Sequence, residues 1–346
     1  MKKLWGNLAA AAISLLVILI ILEAVFRILF PFGPAFPKGA YLEHPALGYT
    51  LAPNQSFTVQ DTDFTYTVKT NSQGFRDGEE VPQEKKRVVV VGDSYAFGTG
   101  VENDETFASK IENENIQAFN LGVGGYGTVQ EVRMVREQLG LDPDVVVLQF
   151  FNGNDVQDSL GLRKMAVKDG RLVYADTASN FGAMRKLQAW MIENSRFLSF
   201  AYLRTRNLIG VFKYTFDKKE QLYRLSFSLE DYSEEINGRF EVIDSAFQDL
   251  EALSKENGFK VIVLIIPNDY EVDQEKFDKL LSVMGLDKEG YSQEKMGNVV
   301  ASLAEKHGFQ AIDMRAAFTA GDYFPHDGHI NEKGHEKVAE ALGEAI

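Results

Sequence analysis

Residues 88 to 100 read VVVVGDSYAFGTG, and this stretch decides the fold. The run of valines has no polar position, which is typical of a strand covered on both faces of a parallel sheet. The run ends at Gly92, where a residue without a Cβ lets the chain turn sharply into the helix expected next. The free N–H groups of that helix would point toward the Ser94 oxygen. A lone serine in such a turn is more often a helix cap than a nucleophile, so its partners must distinguish the two.

Further apolar runs alternate with helical patterns along the chain. Strands are predicted at 87–92, 116–121, 144–151, 260–267 and 310–314, and helices at 102–114 and 127–140. Continuous valine and isoleucine runs favour strands that lie between two helical layers. We therefore predict an α/β fold, a three-layer sandwich around a mainly parallel five-stranded sheet.

The N-terminal segment 1–32 predicts a membrane anchor. Residues 4–22, LWGNLAAAAISLLVILIIL, carry no charge, and as a helix they would span about 28 Å, which matches a bilayer core. No small-residue cleavage site follows, so a retained anchor is favoured over a cleaved signal peptide or a buried soluble helix. Two lysines precede the span, while Arg27 and Lys38 follow it. This slight bias predicts a cytoplasmic N-terminus and an extracytoplasmic body, either periplasmic or extracellular.

The remainder divides into an extension and a main domain. Residues 33–85 are predicted to form a proline- and glycine-rich stalk followed by a small β-rich piece. Within that piece, the alternating pattern of 55–70 indicates a hairpin. The main domain is predicted over 86–346, with a helical, aromatic insertion at about 158–235. Because the insertion follows the third strand's carboxyl end, where α/β sheets bind ligands, we expect it to cap the site. A second packing layer is the alternative.

Composition excludes several classes of function. The formal net charge is −14, which argues against a nucleic-acid partner, because such proteins need a basic face. The chain has no cysteine. Thiol nucleophiles, cysteine-ligated zinc and disulfides are therefore excluded.

Polar and glycine-rich blocks follow four of the predicted strands. They are Gly92-Asp93-Ser94, the loop NLGVGGYG at 120–127, NGND at 152–155, and FPHDGHINEKGH at 324–335. Because the carboxyl ends of parallel strands meet at one edge of a sheet, these blocks should converge. A hydroxyl, a glycine-rich turn, an amide, a carboxylate and an imidazole are the components of an acyl-transfer site.

In this order the blocks resemble the SGNH hydrolase superfamily, also called GDSL esterases, over roughly 87–157 and 310–346. The resemblance implies a flavodoxin-like sandwich and a serine esterase that uses no cofactor or metal. Its nucleophile, base and orienting acid would be Ser94, His329 and Asp327. The oxyanion hole would combine the backbone N–H groups of Ser94 and Gly125 with the Asn154 side-chain amide; Gly124 is the adjacent alternative to Gly125.

Two blocks depart from the family pattern. Asn152 replaces the first glycine of the third block, which weakens the oxyanion assignment. The last block is one residue shorter, with Asp327 and His329 two positions apart. Such a pair shares a side only in an extended segment, so we predict a non-helical segment there, with Asn331 near the start of the final helix. His326 is the competing base.

Three further residues are assigned supporting roles. Asp93 is expected to satisfy loop N–H groups, and Asp155 to brace the turn that holds Asn154. Arg76 lies in a loop that resembles one in membrane-anchored members of the superfamily. Arg76 either reaches the site, binds an anionic substrate group, or lies in a surface turn.

The preferred function is an esterase or O-deacylase acting on an O-acetyl or short acyl group of an envelope carbohydrate. An O-acyltransferase with the same triad and a lipid esterase are alternatives, and the sequence does not separate them. A catalytically silent binding protein is another class. A metal-dependent phosphoesterase would use ligands drawn from Asp93, Asp155, Asp327, His326 and His329. A dinucleotide enzyme is a formal rival because the glycine loop contains GxGxxG, but the required downstream acid is misplaced.

Overall fold

The computed structural model describes residues 2–33, 36–79, 84–161, 165–168, 170–174, 190–191, 194–202, 204–205 and 218–346. Much of the predicted insertion, including 175–189 and 206–217, lies outside the described residues, as does part of the predicted stalk at 34–35.

The main sheet contains the five parallel strands that the apolar runs predict. They are β5 (Lys86–Val91), β6 (Ile116–Asn120), β7 (Val145–Phe151), β10 (Lys260–Ile266) and β11 (Gln310–Asp313). Their order across the sheet is β11-β10-β7-β5-β6. This is the flavodoxin-like order, with the switch point between β5 and β7, where α/β sheets bind ligands.

Alternate residues of each strand pack against different helical layers, which confirms the three-layer prediction. Val89 and Val91 belong to the core shared with α4 (Thr128–Glu137), α7 (Glu234–Asn257) and α9 (Lys295–Lys306). Val88 and Val90 belong to the opposite core. That core is completed by α2 (Ser94–Phe97), α3 (Phe107–Lys110) and α10 (Glu332–Ala345). Each fully buried valine contributes about 1.5–3 kcal/mol to the stability of the sheet.

The predicted helix at 102–114 is shorter than expected. A 3₁₀ turn covers Asn103–Glu105, and α3 begins only after Thr106, whose side chain accepts a hydrogen bond from the Ser109 N–H. The extended backbone of Thr106 separates the two pieces. The other described helices are α5 (Asp155–Ser159), α6 (Lys218–Leu225) and α8 (Gln274–Met284).

Three antiparallel hairpins surround the carboxyl edge of the sheet. They are β1 (Tyr41–His44) with β2 (Gly48–Leu51), β3 (Ser56–Gln60) with β4 (Thr65–Lys69), and β8 (Met165–Lys168) with β9 (Arg171–Tyr174). The β3–β4 pair confirms the hairpin predicted at 55–70. The β8–β9 pair lies inside the insertion predicted to be helical, so that prediction is wrong at 165–174. Residues 196–202 of the insertion are helical as predicted.

Helix α1 (Lys2–Leu29) is long and apolar enough to cross a membrane. Its candidate span is Leu4–Leu29, in which an 18-residue window has a mean hydropathy of 2.8 and is not buried by the described residues. A membrane anchor and a signal sequence both have this character. Glu23 and Arg27 pair at 2.8 Å, as their helical spacing predicts.

The C-terminal end of α1 contacts the insertion. The Glu23 carboxylate accepts hydrogen bonds from the Ser195 hydroxyl at 2.7 Å and from the backbone N–H of Arg196 at 3.1 Å. Phe26 packs against Phe197 and Phe200, with ring centroids 5.4 and 4.8 Å apart. These aromatic side chains of the insertion therefore pack against the C-terminal end of α1.

The segment predicted to be a stalk contacts the extension on both sides of its undescribed residues. Gly33 forms a β-bridge with Val59 of β3. The Phe36 ring packs against Phe57 and against Phe97 of α2, with centroids 4.9 and 5.8 Å apart. The domain is therefore held close to the end of α1.

Candidate active site

Ser94 begins α2 immediately beyond the end of β5. The turn is tight, because a Cβ on Gly92 would lie 2.5 Å from the Gln149 side-chain oxygen. That oxygen accepts hydrogen bonds from the backbone N–H of Asp93 at 3.2 Å and of Ala96 at 3.0 Å. Gln149 is buried in β7 and was missed by the sequence reasoning, since it appeared only as a polar position in an apolar run.

The hydroxyl, the imidazole and the carboxylate of the predicted triad lie together. The Ser94 Oγ is 2.7 Å from the His329 Nε2. The other ring nitrogen of His329, Nδ1, contacts the Asp327 carboxylate. The His329 side chain is 23% exposed, so the ring lines an accessible surface. The structure thus joins residues 235 positions apart into one hydrogen-bonded chain.

The backbone between Asp327 and His329 explains how a two-residue spacing brings the side chains together. Gly328 has φ +90°, in the left-handed region that favours glycine. Asp327 Oδ1 also accepts the backbone N–H of His329 at 3.2 Å, as in an Asx turn. The segment is non-helical as predicted, but the extended conformation offered as the reason is wrong. Asn331 caps α10, as predicted, by accepting two backbone N–H groups.

Tyr95 connects the serine turn to the histidine loop. Its hydroxyl donates to the Gly328 carbonyl at 3.0 Å. Its ring lies 4.8 Å from the His329 ring and 4.1 Å from the Phe151 ring, measured between centroids. Tyr95, the residue after Ser94, therefore fixes the loop that carries His329.

The electrostatic surroundings of His329 favour its protonated form. Burial alone lowers its pKa, but the charge and hydrogen bond of Asp327, aided by the charge of Asp93, outweigh this and raise the pKa above its ordinary value. An imidazole with a raised pKa is a stronger proton acceptor. It can therefore take the Ser94 proton more readily than a free histidine.

Two of the expected oxyanion donors are free. Among the residues that the structure describes, none accepts a hydrogen bond from the backbone N–H of Ser94 or of Gly125. The Tyr49 hydroxyl donates to the Gly124 carbonyl at 3.0 Å, which fixes the peptide that carries the Gly125 N–H. Gly125 has φ +83°, and a Cβ on Gly124 would lie 3.8 Å from the Ser94 Cβ. The glycine loop thus lies against the serine.

Asn154, the third expected donor, is engaged elsewhere. Its amide nitrogen donates to the carboxylates of Asp93 at 3.1 Å and Asp158 at 2.9 Å. Both amide hydrogens are used in these bonds. To donate to an oxyanion, the Asn154 amide would have to give up one of these two hydrogen bonds.

Three buried carboxyl groups in this region, those of Asp93, Glu131 and Asp155, have raised pKa values. Burial raises the pKa of Asp93, although hydrogen bonds from Tyr95 and Asn154 oppose this. Burial, followed by neighbouring acids, also holds the pKa values of Glu131 and Asp155 well above their usual range. Asp93 satisfies the N–H of Tyr95 at 2.9 Å, in line with its expected role. Asp155 lies fully buried in the first turn of α5, next to Asn154.

The residue that departs from the family pattern in the third block has a partner of its own. The Asn152 amide donates to Glu271 at 3.0 Å, in the loop after β10. Burial raises the pKa of Glu271 to about 7, against the hydrogen bonds from Asn152 and Asn268. Asn152 therefore points into a buried polar pair.

Arg76 is 1% exposed, so its interpretation as a surface turn is wrong. Its guanidinium donates to the carbonyls of Phe97, at 2.7 Å, and Gly98 at the end of α2. It also lies over the rings of Phe97 and Tyr66, at 4.7 and 5.2 Å from their centroids. Because these N–H groups are bonded to backbone carbonyls, Arg76 stabilises the C-terminal end of α2, the helix that begins at Ser94.

His326, the competing base, lies against a different carboxylate. Its Nδ1 lies 2.6 Å from the carboxylate of Asp63, at the tip of the β3–β4 hairpin. In the described part of the chain, no group of three or more acidic, histidine or cysteine side chains is arranged to hold a metal ion. The side chains suggested as metal ligands of a phosphoesterase therefore do not form such a group in the described part of the chain.

Side chains from two hairpins border the glycine loop. A Cβ at Gly125 would lie 2.7 Å from the Met165 sulfur and 2.9 Å from the Tyr49 hydroxyl. Tyr41 of β1 approaches Gly124, its hydroxyl 4.0 Å from the position of a Cβ there. The start of the insertion, at β8, therefore lies beside Gly125.

Comparison with known proteins gives no family match. No protein-family model matches the chain, and no curated protein matches it. Solved structures do match, at low sequence identity, among them the following three. A lipolytic G-D-S-L family member from Veillonella parvula is 13% identical, covering 75% of this chain and 98% of its own, with a TM-score of 0.36. A GDSL-like lipase from Bacteroides thetaiotaomicron is 15% identical, covering 75% and 87%, with a TM-score of 0.35. An acetyl-xylooligosaccharide esterase from a Geobacillus species is 14% identical, covering 74% and 92%, with a TM-score of 0.37. At such scores, the chemistry must be argued from this chain's own residues.

Proposed function

We propose that this protein is a serine esterase with Ser94 as nucleophile, His329 as general base and Asp327 as the acid that orients the ring. The observation that carries the proposal is the 2.7 Å contact between the Ser94 Oγ and the His329 Nε2, with Asp327 on the other ring nitrogen. A nucleophile, a base and an orienting group in one chain are the arrangement that acyl transfer requires.

The first half-reaction follows from this geometry. His329 Nε2 accepts the hydroxyl proton as the Ser94 Oγ attacks the ester carbonyl carbon, and Asp327 stabilises the imidazolium that forms. The tetrahedral oxyanion accepts hydrogen bonds from the free N–H groups of Ser94 and Gly125. When the intermediate collapses, the C–O bond to the alcohol breaks, and His329 returns the proton to the leaving oxygen.

Water completes the second half-reaction in a hydrolase. His329 removes its proton, the resulting oxygen attacks the acyl-enzyme, and the serine is released with its proton restored. A sugar hydroxyl in place of water would make the same residues an O-acyltransferase. That alternative remains open, because the first half-reaction is the same.

A short acyl group is the preferred substrate, carried by an envelope carbohydrate. Met165 and Tyr49 crowd the space beside Gly125, and this supports a small group such as O-acetyl next to the oxyanion position. The apolar helix α1 supports attachment to a membrane, with the catalytic body on the extracytoplasmic side. The lipid-ester alternative loses some support because Phe197 and Phe200 pack against α1.

The test compares wild-type protein with Ser94→Ala on a short-chain p-nitrophenyl ester and on acetylated oligosaccharides. The substitution should lower turnover by about 10⁴-fold or more, because no other hydroxyl occupies the position. A Ser94→Ala protein with wild-type turnover would refute the proposal. Adding a sugar acceptor and identifying the products by mass spectrometry separates transfer from hydrolysis.

A further inference from the structure

The β3–β4 hairpin and the loop that carries Asp327 and His329 meet through one carboxylate. Asp63 lies in the hairpin turn, between Gln60 and Thr65, which pair at the ends of the two strands. It is 263 positions from His326 in the sequence. Its side chain is only 5% exposed, whereas the His326 side chain against it is 53% exposed.

Asp63 makes three hydrogen bonds to this loop. One carboxylate oxygen accepts the backbone N–H groups of His326 at 2.7 Å and Asp327 at 2.9 Å. The other oxygen lies 2.6 Å from the His326 ring nitrogen Nδ1. The backbone of Asp327 is therefore hydrogen-bonded directly to the hairpin. The side-chain carboxylate of the same residue contacts His329.

The neighbouring aromatic residue reinforces this contact and extends it to the serine side. The Phe64 ring meets the Phe324 ring edge-on, with centroids 5.0 Å apart. Both rings close over Gly100, where a Cβ would lie 2.4 Å from Phe324 and 2.9 Å from Phe64. The hairpin tip thus touches the loop after α2 as well as the loop that carries the base.

We propose that Asp63 is a positioning residue that holds the Asp327–His329 turn in register with Ser94. This inference rests on the proposed function. Hydrogen bonds to both backbone N–H groups fix where the turn begins, and the left-handed Gly328 then determines where the imidazole lies. A 1 Å misplacement of a catalytic group can cost about 10²-fold in rate. A buried hydrogen-bond acceptor at the start of the turn would limit such a displacement of His329.

The experiment uses the full chain purified in detergent, with Asp63→Ala, Asp63→Asn and His326→Ala compared with wild type. Asp63→Ala removes all three bonds and should lower kcat by about 10–100-fold with little change in KM. Asp63→Asn keeps an oxygen for the two N–H groups and should restore kcat to within about 5-fold of wild type. His326→Ala removes only the ring contact and should stay within about 3-fold of wild type.

Hydrogen exchange gives a readout that does not depend on catalysis. Backbone amides at 326–329 should exchange faster in Asp63→Ala than in wild type, while those of β5 and β7 should not change. If Asp63→Ala does not fold, Asp63→Ser, whose shorter side chain loses the same contacts, replaces it in both measurements.

The outcomes separate the two proposals. An Asp63→Ala protein with wild-type kcat and unchanged exchange would overturn the positioning role, as would equal losses of kcat in Asp63→Ala and Asp63→Asn. If wild-type protein hydrolyses no ester, the esterase proposal fails, and faster exchange at 326–329 in Asp63→Ala would still support the tie to the hairpin.

Discussion

The two edges of the central sheet each hold a histidine against carboxylates, but only one pairs the ring with a hydroxyl. At the carboxyl edge, His329 contacts Asp327 on one nitrogen and Ser94 on the other. At the amino edge, the two nitrogens of His307 lie 2.8 Å from Glu251 and 2.9 Å from Asp244. His307 therefore has no nitrogen available to act as a base, whereas His329 does.

The acids at the two edges also differ in the direction in which their pKa values are shifted. At the amino edge, hydrogen bonds from Lys306 and then His307 lower the pKa of Asp244, and those from Lys255 and His307 lower that of Glu251. At the carboxyl edge, burial raises the pKa of Asp93 and of Glu271. At one edge the surface acids are favoured in their charged forms, while the other edge keeps buried acids whose ionisation opposes folding. Perturbed acids of this second kind are typical of functional sites.

The largest expected effect separates the two histidines. His329→Gln removes the proton acceptor from the Ser94 hydroxyl and should lower kcat/KM by about 10⁴-fold or more. His307→Gln should leave kcat/KM within about 2-fold of wild type, because His307 lies at the opposite edge. Ester hydrolysis by both variants at pH 8 measures this difference. Equal losses would contradict the contrast between the edges.

The pH profile sharpens the same contrast. Since the base must be neutral, kcat/KM should fall as the pH drops below the pKa of His329, which lies above its ordinary value. The acid limb in wild type should therefore lie at higher pH than that of a free imidazole, about 6.5. His307→Gln should show the same limb. If the acid limb were shifted in His307→Gln, the group that controls the rate would lie at the amino edge, and the assignment to His329 would be wrong.

The next effect concerns the buried network beside the serine. Asn154→Ala removes an amide that bridges Asp93 and Asp158, together with a candidate oxyanion donor. We expect kcat to fall by about 10²–10³-fold. Asn298→Ala, at an exposed position of α9, is the control and should not change kcat. An Asn154→Ala enzyme with wild-type kcat would remove Asn154 from the mechanism.

The smallest effect is on stability. Glu271 has a folded pKa of about 7 against an ordinary 4.5, so the folded state binds more protons than the unfolded state between these values. The free energy of unfolding of wild type should fall relative to Glu271→Gln as the pH rises from 4.5 to 7, by about 2–3 kcal/mol in total. Above pH 8 the difference should be constant. Denaturant unfolding at several pH values measures it, and a pH-independent difference would contradict the burial of this acid.

Local pattern predicts the sheet and the order of the four blocks. Valine and isoleucine runs identify the strands because a strand covered on both faces has no polar position to obscure it. The serine, amide and imidazole then follow at strand ends. The turn at Gly328 was misread as extended, because a glycine between two polar residues does not reveal its φ.

Contacts between distant segments are what the sequence could not provide. Gln149 appears as an interruption in an apolar strand, and only the fold shows its oxygen between two N–H groups of the serine turn. Asp63 is an ordinary hairpin-tip acid until the C-terminal loop is placed against it. Helical periodicity in the insertion likewise did not anticipate the β8–β9 hairpin, in which β8 lies against β1 and β2.

Covalent labelling tests the central claim most directly. Wild-type protein is treated with a serine-reactive fluorophosphonate, digested, and mapped by mass spectrometry, alongside His329→Gln and His307→Gln. We predict a single adduct on Ser94 in wild type and in His307→Gln, and labelling at least about 10²-fold slower in His329→Gln. No adduct on Ser94 in wild type, or equal labelling rates in all three proteins, would contradict the account.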